Sequence, residues 1–133
     1  MPDGIPTPTM SAVGLLCNQY SGMKRTDPAM VEGMKYVMEN LPAARHNAYF
    51  LYYATQVMHN LPGPEWDQWN RAARRMLIET QIKDGCATGS WSSAGNAHAA
   101  GPVMVTSIHT LTLEVYYRYL PLYQIDRGDT KNE

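Results

Sequence analysis

An all-α fold of about five helices is predicted by three features of the sequence. Apolar residues recur at helical rather than strand spacing, prolines or polar capping residues stand at the head of such runs, and Gly or Pro stands at their feet. The first run opens at Thr7-Pro8-Thr9 and passes through Ala12, Val13, Leu15, Leu16 and Cys17 to about Tyr20, where Ser21-Gly22 ends it. Being mostly apolar and small, it is expected to be covered, with Cys17 in the core. The second run starts at Asp27, a good N-cap, with Pro28 at the first helical position. Met30, Val31, Met34, Val37, Met38 and Leu41 form its single apolar stripe, while Glu32, Lys35 and Glu39 face water; Pro42 closes it.

The third run, about Asn47 to Asn60, leaves almost no polar face: Ala48, Tyr49, Phe50, Leu51, Tyr52, Tyr53, Ala54, Val57 and Met58 crowd its circumference. Strand is the rival for so aromatic a stretch, but its length, Ala54 and the lack of alternation favour helix. Leu61-Pro62-Gly63-Pro64 then makes a turn into a fourth helix, about Glu65 to Ile82. Trp66, Trp69, Ala73, Met76 and Leu77 form its apolar stripe, with Asp67, Arg71, Arg74 and Lys83 toward water. Asp84 to Gly101, rich in Gly, Ala and Ser around the single bulky Trp91, reads as a long loop. Pro102 begins a fifth helix that runs from Val103 to about Leu120, again apolar around much of its girth, and Pro121 stops it. One domain over 8–123 and a polar tail over 124–133 are therefore expected. Covered and wet-faced helices alternate along the chain, which is the signature of two packed layers; concentric α/α rings and α-solenoids both share it.

Composition narrows the function classes. The chain has 133 residues, 44% apolar and 17% charged, which suits a globular domain with its own core. A net charge of −1 argues against a general nucleic-acid binder. No apolar run approaches the roughly 20 residues of a membrane span. Met1-Pro2-Asp3-Gly4 lacks the basic and apolar regions of a secretory signal, so the default expectation is cytoplasmic. Cys17 and Cys86 are too few for a disulfide framework or a four-thiolate metal site, and there is no Asn-x-Ser/Thr sequon.

Gln81-Ile82-Lys83-Asp84-Gly85 followed by Gly89-Ser90-Trp91 resembles the QW motif of the terpenoid cyclase and protein prenyltransferase superfamily. The spacing here is Gln-x7-Gly-x-Trp, longer than the family's usual Gln-x3-Gly-x-Trp. Tyr49-Phe50-Leu51-Tyr52-Tyr53-Ala54-Thr55, Trp66-Asp67-Gln68-Trp69-Asn70 and the stretch Leu111 to Tyr123 are similar to strings of the squalene-cyclase-like branch, so the likeness spans about Ser11 to Tyr123. It implies a partial (α/α) toroid, with the first, third and fifth helices inner and the second and fourth outer. A closed ring needs more helix pairs than five helices supply. The resemblance therefore implies the C-terminal portion of a longer chain, a truncated gene, or homo-oligomerisation that covers the open inner helices.

The family's catalytic sets do not map onto this sequence. A proton-initiated cyclase carries an Asp-x-Asp-Asp acid, whereas Asp84, Asp126 and Asp129 stand alone. A prenyltransferase holds zinc with Asp, Cys and His. Asp84-Gly85-Cys86 sits in the join rather than at an inner helix start, Met104-Val105-Thr106 occupies the place of the family's Tyr-His-Thr, and His109 lies one turn later. Complement-type thioester domains carry Gly-Cys-Gly-Glu-Gln, which Gly85-Cys86-Ala87-Thr88-Gly89 does not match. No catalytic residue, metal ligand or cofactor is expected on this chain.

Candidate cavity-lining residues remain: Tyr49, Tyr52, Tyr53, His109, Glu114, Tyr116 and Tyr117, whose aromatic faces suit a cation and whose bulk suits an apolar isoprenoid-like ligand. Their plainer role is a core whose hydroxyls are hydrogen-bonded, with Glu114 and Arg118 paired one turn apart. Gln81, Gly85, Gly89 and Trp91 read as structural: an amide able to cap a helix end and an indole packed over the join. His59 suits the C-terminal end of the third helix; His46 and His98 fall in loops, and Arg127-Gly128-Asp129 is a chance tripeptide. The function expected is thus a non-catalytic or incomplete squalene-cyclase-like segment with a structural or apolar-ligand-binding role. Two alternatives are one wall of a cyclase or prenyltransferase whose catalytic residues lie upstream, and a self-associating helical adaptor.

Overall fold

Proline and asparagine set the helix starts. The computed structural model describes residues 7–43, 47–94 and 101–118. Within them the regular structure is five helices, α1 (Pro8–Tyr20), α2 (Pro28–Glu39), α3 (Ala48–His59), α4 (Pro64–Thr80) and α5 (Gly101–Arg118), and no strand. The fold is all-α. Pro8, Pro28 and Pro64 each occupy a first-turn position, where the missing N–H has no partner to lose. The Asn47 side chain caps α3, accepting from the backbone N–H of Tyr49 at 2.7 Å and of Phe50 at 3.1 Å. Asp27 departs from the expected cap: it holds the N-cap position of α2, but its carboxylate accepts from the Lys24 N–H at 2.8 Å and so tightens the preceding turn instead. At the foot of α1 the N–H of Met23 donates to the Asn18 carbonyl and that of Gly22 to Gln19, a Schellman ending.

The packing centres on α3. α1, α4 and α5 all pack on α3, and α2 packs on α1. Ala12, Leu15 and Leu16 of α1, Phe50, Leu51, Val57 and Met58 of α3, and Trp69, Ala73 and Leu77 of α4 meet in one core with Met30, Val37 and Val105. Complete burial of a side chain such as Leu51 contributes about 1.5–3 kcal/mol. α2 comes so close to α1 at Gly33 that an added β-carbon would overlap the methyl groups of Leu15.

Only α3 is covered on nearly all sides. α1 and α5 each keep a face in water: Met10 and Tyr20 on α1, and Val103, Leu113 and Tyr117 on α5, are exposed. The expectation of full cover fails there because α5 packs chiefly on α3, and α1 on α3 and α2, which leaves the remaining face of each uncovered. The same geometry corrects two residues. Cys17 is exposed rather than core, since Ala12, Leu15, Leu16 and Gln19 take the buried side of α1. Val31 is exposed, since Met30 and Val37 set the buried line of α2.

A polar seam runs through the contact of α1 with α3. Gln19, 3% exposed, donates from Nε2 to the Val57 carbonyl at 3.1 Å and accepts at Oε1 from Asn60 Nδ2 at 2.9 Å. The sequence stretches holding His46, His98, Tyr119 to Tyr123 and the 124–133 tail with Asp126 and Arg127-Gly128-Asp129 lie outside the described residues, as do the side chains of Tyr116 and Arg118.

Candidate functional site

Two places gather polar chemistry. The first is the join from α4 toward α5. Its described part is a loop, as expected, and it is held by its own bonds: Gly89 N–H donates to Ile82 O at 2.8 Å, Ile82 N–H donates to Ser90 O at 2.9 Å, and the Thr88 and Ser90 hydroxyls donate to Gly85 O and Ala87 O, both at 2.6 Å. Gly85 and Gly89 turn this tight loop with φ of 82° and 87°, a region costly for any side chain. Gln81 ends α4 and donates from Nε2 to the Gly89 carbonyl at 2.8 Å, pinning the loop across its mouth.

Trp91, 4% exposed, closes the join. Its indole N–H donates to the Leu77 carbonyl in the last turn of α4 at 2.9 Å, and its backbone N–H donates to Thr106 Oγ1 on α5 at 3.1 Å. The indole thus serves the helix end, while the Gln81 amide serves the loop. His109 stands edge-on to the Trp91 ring, centroids 5.4 Å apart. Burial lowers its pKa from 6.5 to about 4, and its Nδ1 has no hydrogen-bond partner among the described residues. Asp84, Gly85 and Cys86 are exposed on the loop's outer side. Among the described residues no three His, Cys, Asp or Glu side chains are grouped to hold a metal ion.

The second place is an open cleft of about 650 Å³ floored by α3 and walled by α4 and α5. From α3 comes Thr55; from α4, Trp66, Asp67, Asn70, Ala73, Arg74 and Leu77; from α5, Thr112, Leu113 and Tyr117. The α4 residues recur at three- and four-residue steps, so they share one face of that helix. Thr55 Oγ1 accepts from the Trp69 indole at 3.0 Å, which locks α4 onto the floor. Trp66 is braced from behind by the His59 ring, centroids 5.0 Å apart. The cleft size falls in the range of small-molecule sites, but its lining mixes apolar side chains with Asp67, Asn70 and Arg74 and is not a dry, closed cavity.

Of the candidate cavity residues, Tyr117 lines this cleft. Tyr49 is exposed in the first turn of α3. Tyr52 and Tyr53 lie half-buried with ring centroids 5.4 Å apart, away from the cleft lining. His109 lies under Trp91, and Glu114 is half-buried on α5 outside the lining. The residues missed from sequence are Thr55, Asn70 and Thr112; Asp67 and Arg74 are exposed, as the sequence predicts, and stand at the cleft's rim. The signal was present for α4: positions 66, 70, 73 and 77 continue one stripe, and 67 and 74 flank it. No helix among the described residues is long and apolar enough to cross a membrane. No family model, curated protein or solved structure matches this chain.

Proposed function

We propose that the chain is a non-catalytic helical scaffold on the plan of the squalene-cyclase-like α/α toroids, holding a small ligand with an apolar body in the cleft above α3. The observation that carries the proposal is the cleft itself: Trp66, Ala73, Leu77, Leu113 and Tyr117 offer an apolar bed of ligand size between α4 and α5. The toroid plan is supported by the packing order, in which α1 and α5 both rest on α3 while α2 packs on α1 and α4 on α3. Titration of the ¹⁵N-labelled chain with farnesol, an isoprenoid alcohol, tests it. A saturable shift of the Trp66 indole N–H is expected, with the Trp91 indole unmoved. An unmoved Trp66 signal at saturating farnesol would refute the binding role.

A second reading is favoured by the exposed apolar side chains Met10 and Tyr20 on α1 and Val103, Leu113 and Tyr117 on α5: self-association that covers them. Light scattering across a concentration series decides it. A mass that climbs with concentration and falls in Val103→Lys supports it, and a constant monomer mass ends it.

A further inference from the structure

Two threonines of the cleft carry hydrogen-bonding capacity that the fold leaves unspent. Thr55 of α3 and Thr112 of α5 both line it, each only 4% exposed, on helices packed against each other. A hydroxyl offers one donor hydrogen and two acceptor lone pairs. Thr55 uses an acceptor: its Oγ1 takes the Trp69 indole N–H at 3.0 Å, and its own hydrogen goes to no acceptor among the described residues. Thr112 uses its donor: its Oγ1 donates to the Ile108 carbonyl at 2.8 Å, and its oxygen accepts from nothing among the described residues. The cleft is thus offered a free donor by Thr55 and a free acceptor by Thr112.

That combination selects a ligand by hydrogen-bond sense. An apolar body that dries the cleft must match both groups or leave a buried polar group unpaired. A carboxylate or an ether only accepts, so it serves Thr55 and sets oxygen against oxygen at Thr112. An ammonium only donates, so it serves Thr112 and leaves the Thr55 hydrogen without an acceptor. A hydroxyl does both.

Resting on the cleft reading above, we infer that the ligand is an alcohol: its hydroxyl accepts from Thr55 and donates to Thr112, and its apolar body covers Leu77 and Leu113.

The probes are farnesol and farnesyl methyl ether, which share the apolar body and differ in the donor hydrogen. Each is titrated against the whole chain by calorimetry while the Trp66 indole N–H is followed by NMR. Farnesol should bind about fivefold tighter, the worth of one net hydrogen bond. Thr112→Val removes the acceptor, and the Ile108 carbonyl keeps its backbone partner within α5, so the helix stands. In that variant the preference for farnesol should vanish, whereas Thr112→Ser should keep it. Crowding by the ether's methyl group would survive in Thr112→Val, so an unchanged preference there overturns the inference. Equal affinities in the parent chain, with the Trp66 signal shifting for both probes, overturn it too and leave the cleft reading standing. An unmoved Trp66 signal with either probe at saturation refutes the cleft reading and this inference with it.

Discussion

The Trp69 indole is fully buried, and its N–H reaches the Thr55 hydroxyl at 3.0 Å. A buried donor left without an acceptor costs about 1–3 kcal/mol, whereas a volume-conserving change elsewhere in a core costs less. Thr55→Val keeps the shape and removes the acceptor, so denaturant unfolding should show a loss of about 1–3 kcal/mol, restored for the most part by Thr55→Ser. A Val variant as stable as the parent would mean that the indole bond contributes nothing. His109 gives a second single-residue prediction, in pH. Its pKa in the fold is lowered to about 4 by burial, against 6.5 in the unfolded chain. Between those values the unfolded chain takes up a proton that the folded one refuses, so stability is full above pH 6.5 and falls as the pH drops toward 4. The loss amounts to about 3 kcal/mol at most. In His109→Gln the stability difference between pH 7 and pH 4 should shrink by that amount, and an unchanged pH profile would contradict it. From sequence alone His109 was a candidate for lining a cavity. What the spacing could not reveal is that Trp91, eighteen positions earlier, folds back over it.

Helix ends show what local sequence can and cannot fix. Starts were legible because their chemistry is local: Pro28, Pro64 and Asn47 act on their own first turns. The ends of α3 and α4 fall within two residues of where the apolar runs stop, but partners of their last-turn carbonyls come from far away. Gln19 of α1 reaches the Val57 carbonyl, and Trp91 reaches Leu77. Such pairings rest on three-dimensional closure, which periodicity does not encode. The Trp91 join separates two contributions that a single truncation would mix. Trp91→Phe keeps a ring over His109 and loses the bond to Leu77 O, which still accepts from the Gln81 N–H at 3.1 Å. A cost of about 1 kcal/mol is expected, near the net value of one hydrogen bond. Trp91→Ala also empties the space under the join and should cost about 3–5 kcal/mol. Equal costs for the two variants would show that the join is held by the hydrogen bond and not by packing.

At the scale of the whole molecule, position in the packing explains which residues escaped the sequence reading. The helical periodicity predicted an all-α packing, but it could not say which helices lack a neighbour on one side. Hence Cys17, Val103 and Tyr117 are exposed on helices whose composition reads as covered. The cleft has the same origin: α4 and α5 both rest on α3, and the space between them is left for Thr55 to floor. A molecule organised on one central helix should also open unevenly. α3 is enclosed by three neighbours, and its residues from Ala54 to His59 are all buried, while α2 packs chiefly on α1 and buries only Met30 and Val37. Opening free energy follows local burial, so native-state hydrogen exchange should rank the helices. The amides of Ala54 to His59 should exchange only through global unfolding, with the denaturant dependence of the full transition. Those of α2 should exchange through a smaller opening with a shallower dependence, since α2 can lift from α1 without exposing α3. Matching protection in α2 and α3 would show instead that the five helices open as one unit, and that no single helix organises the core.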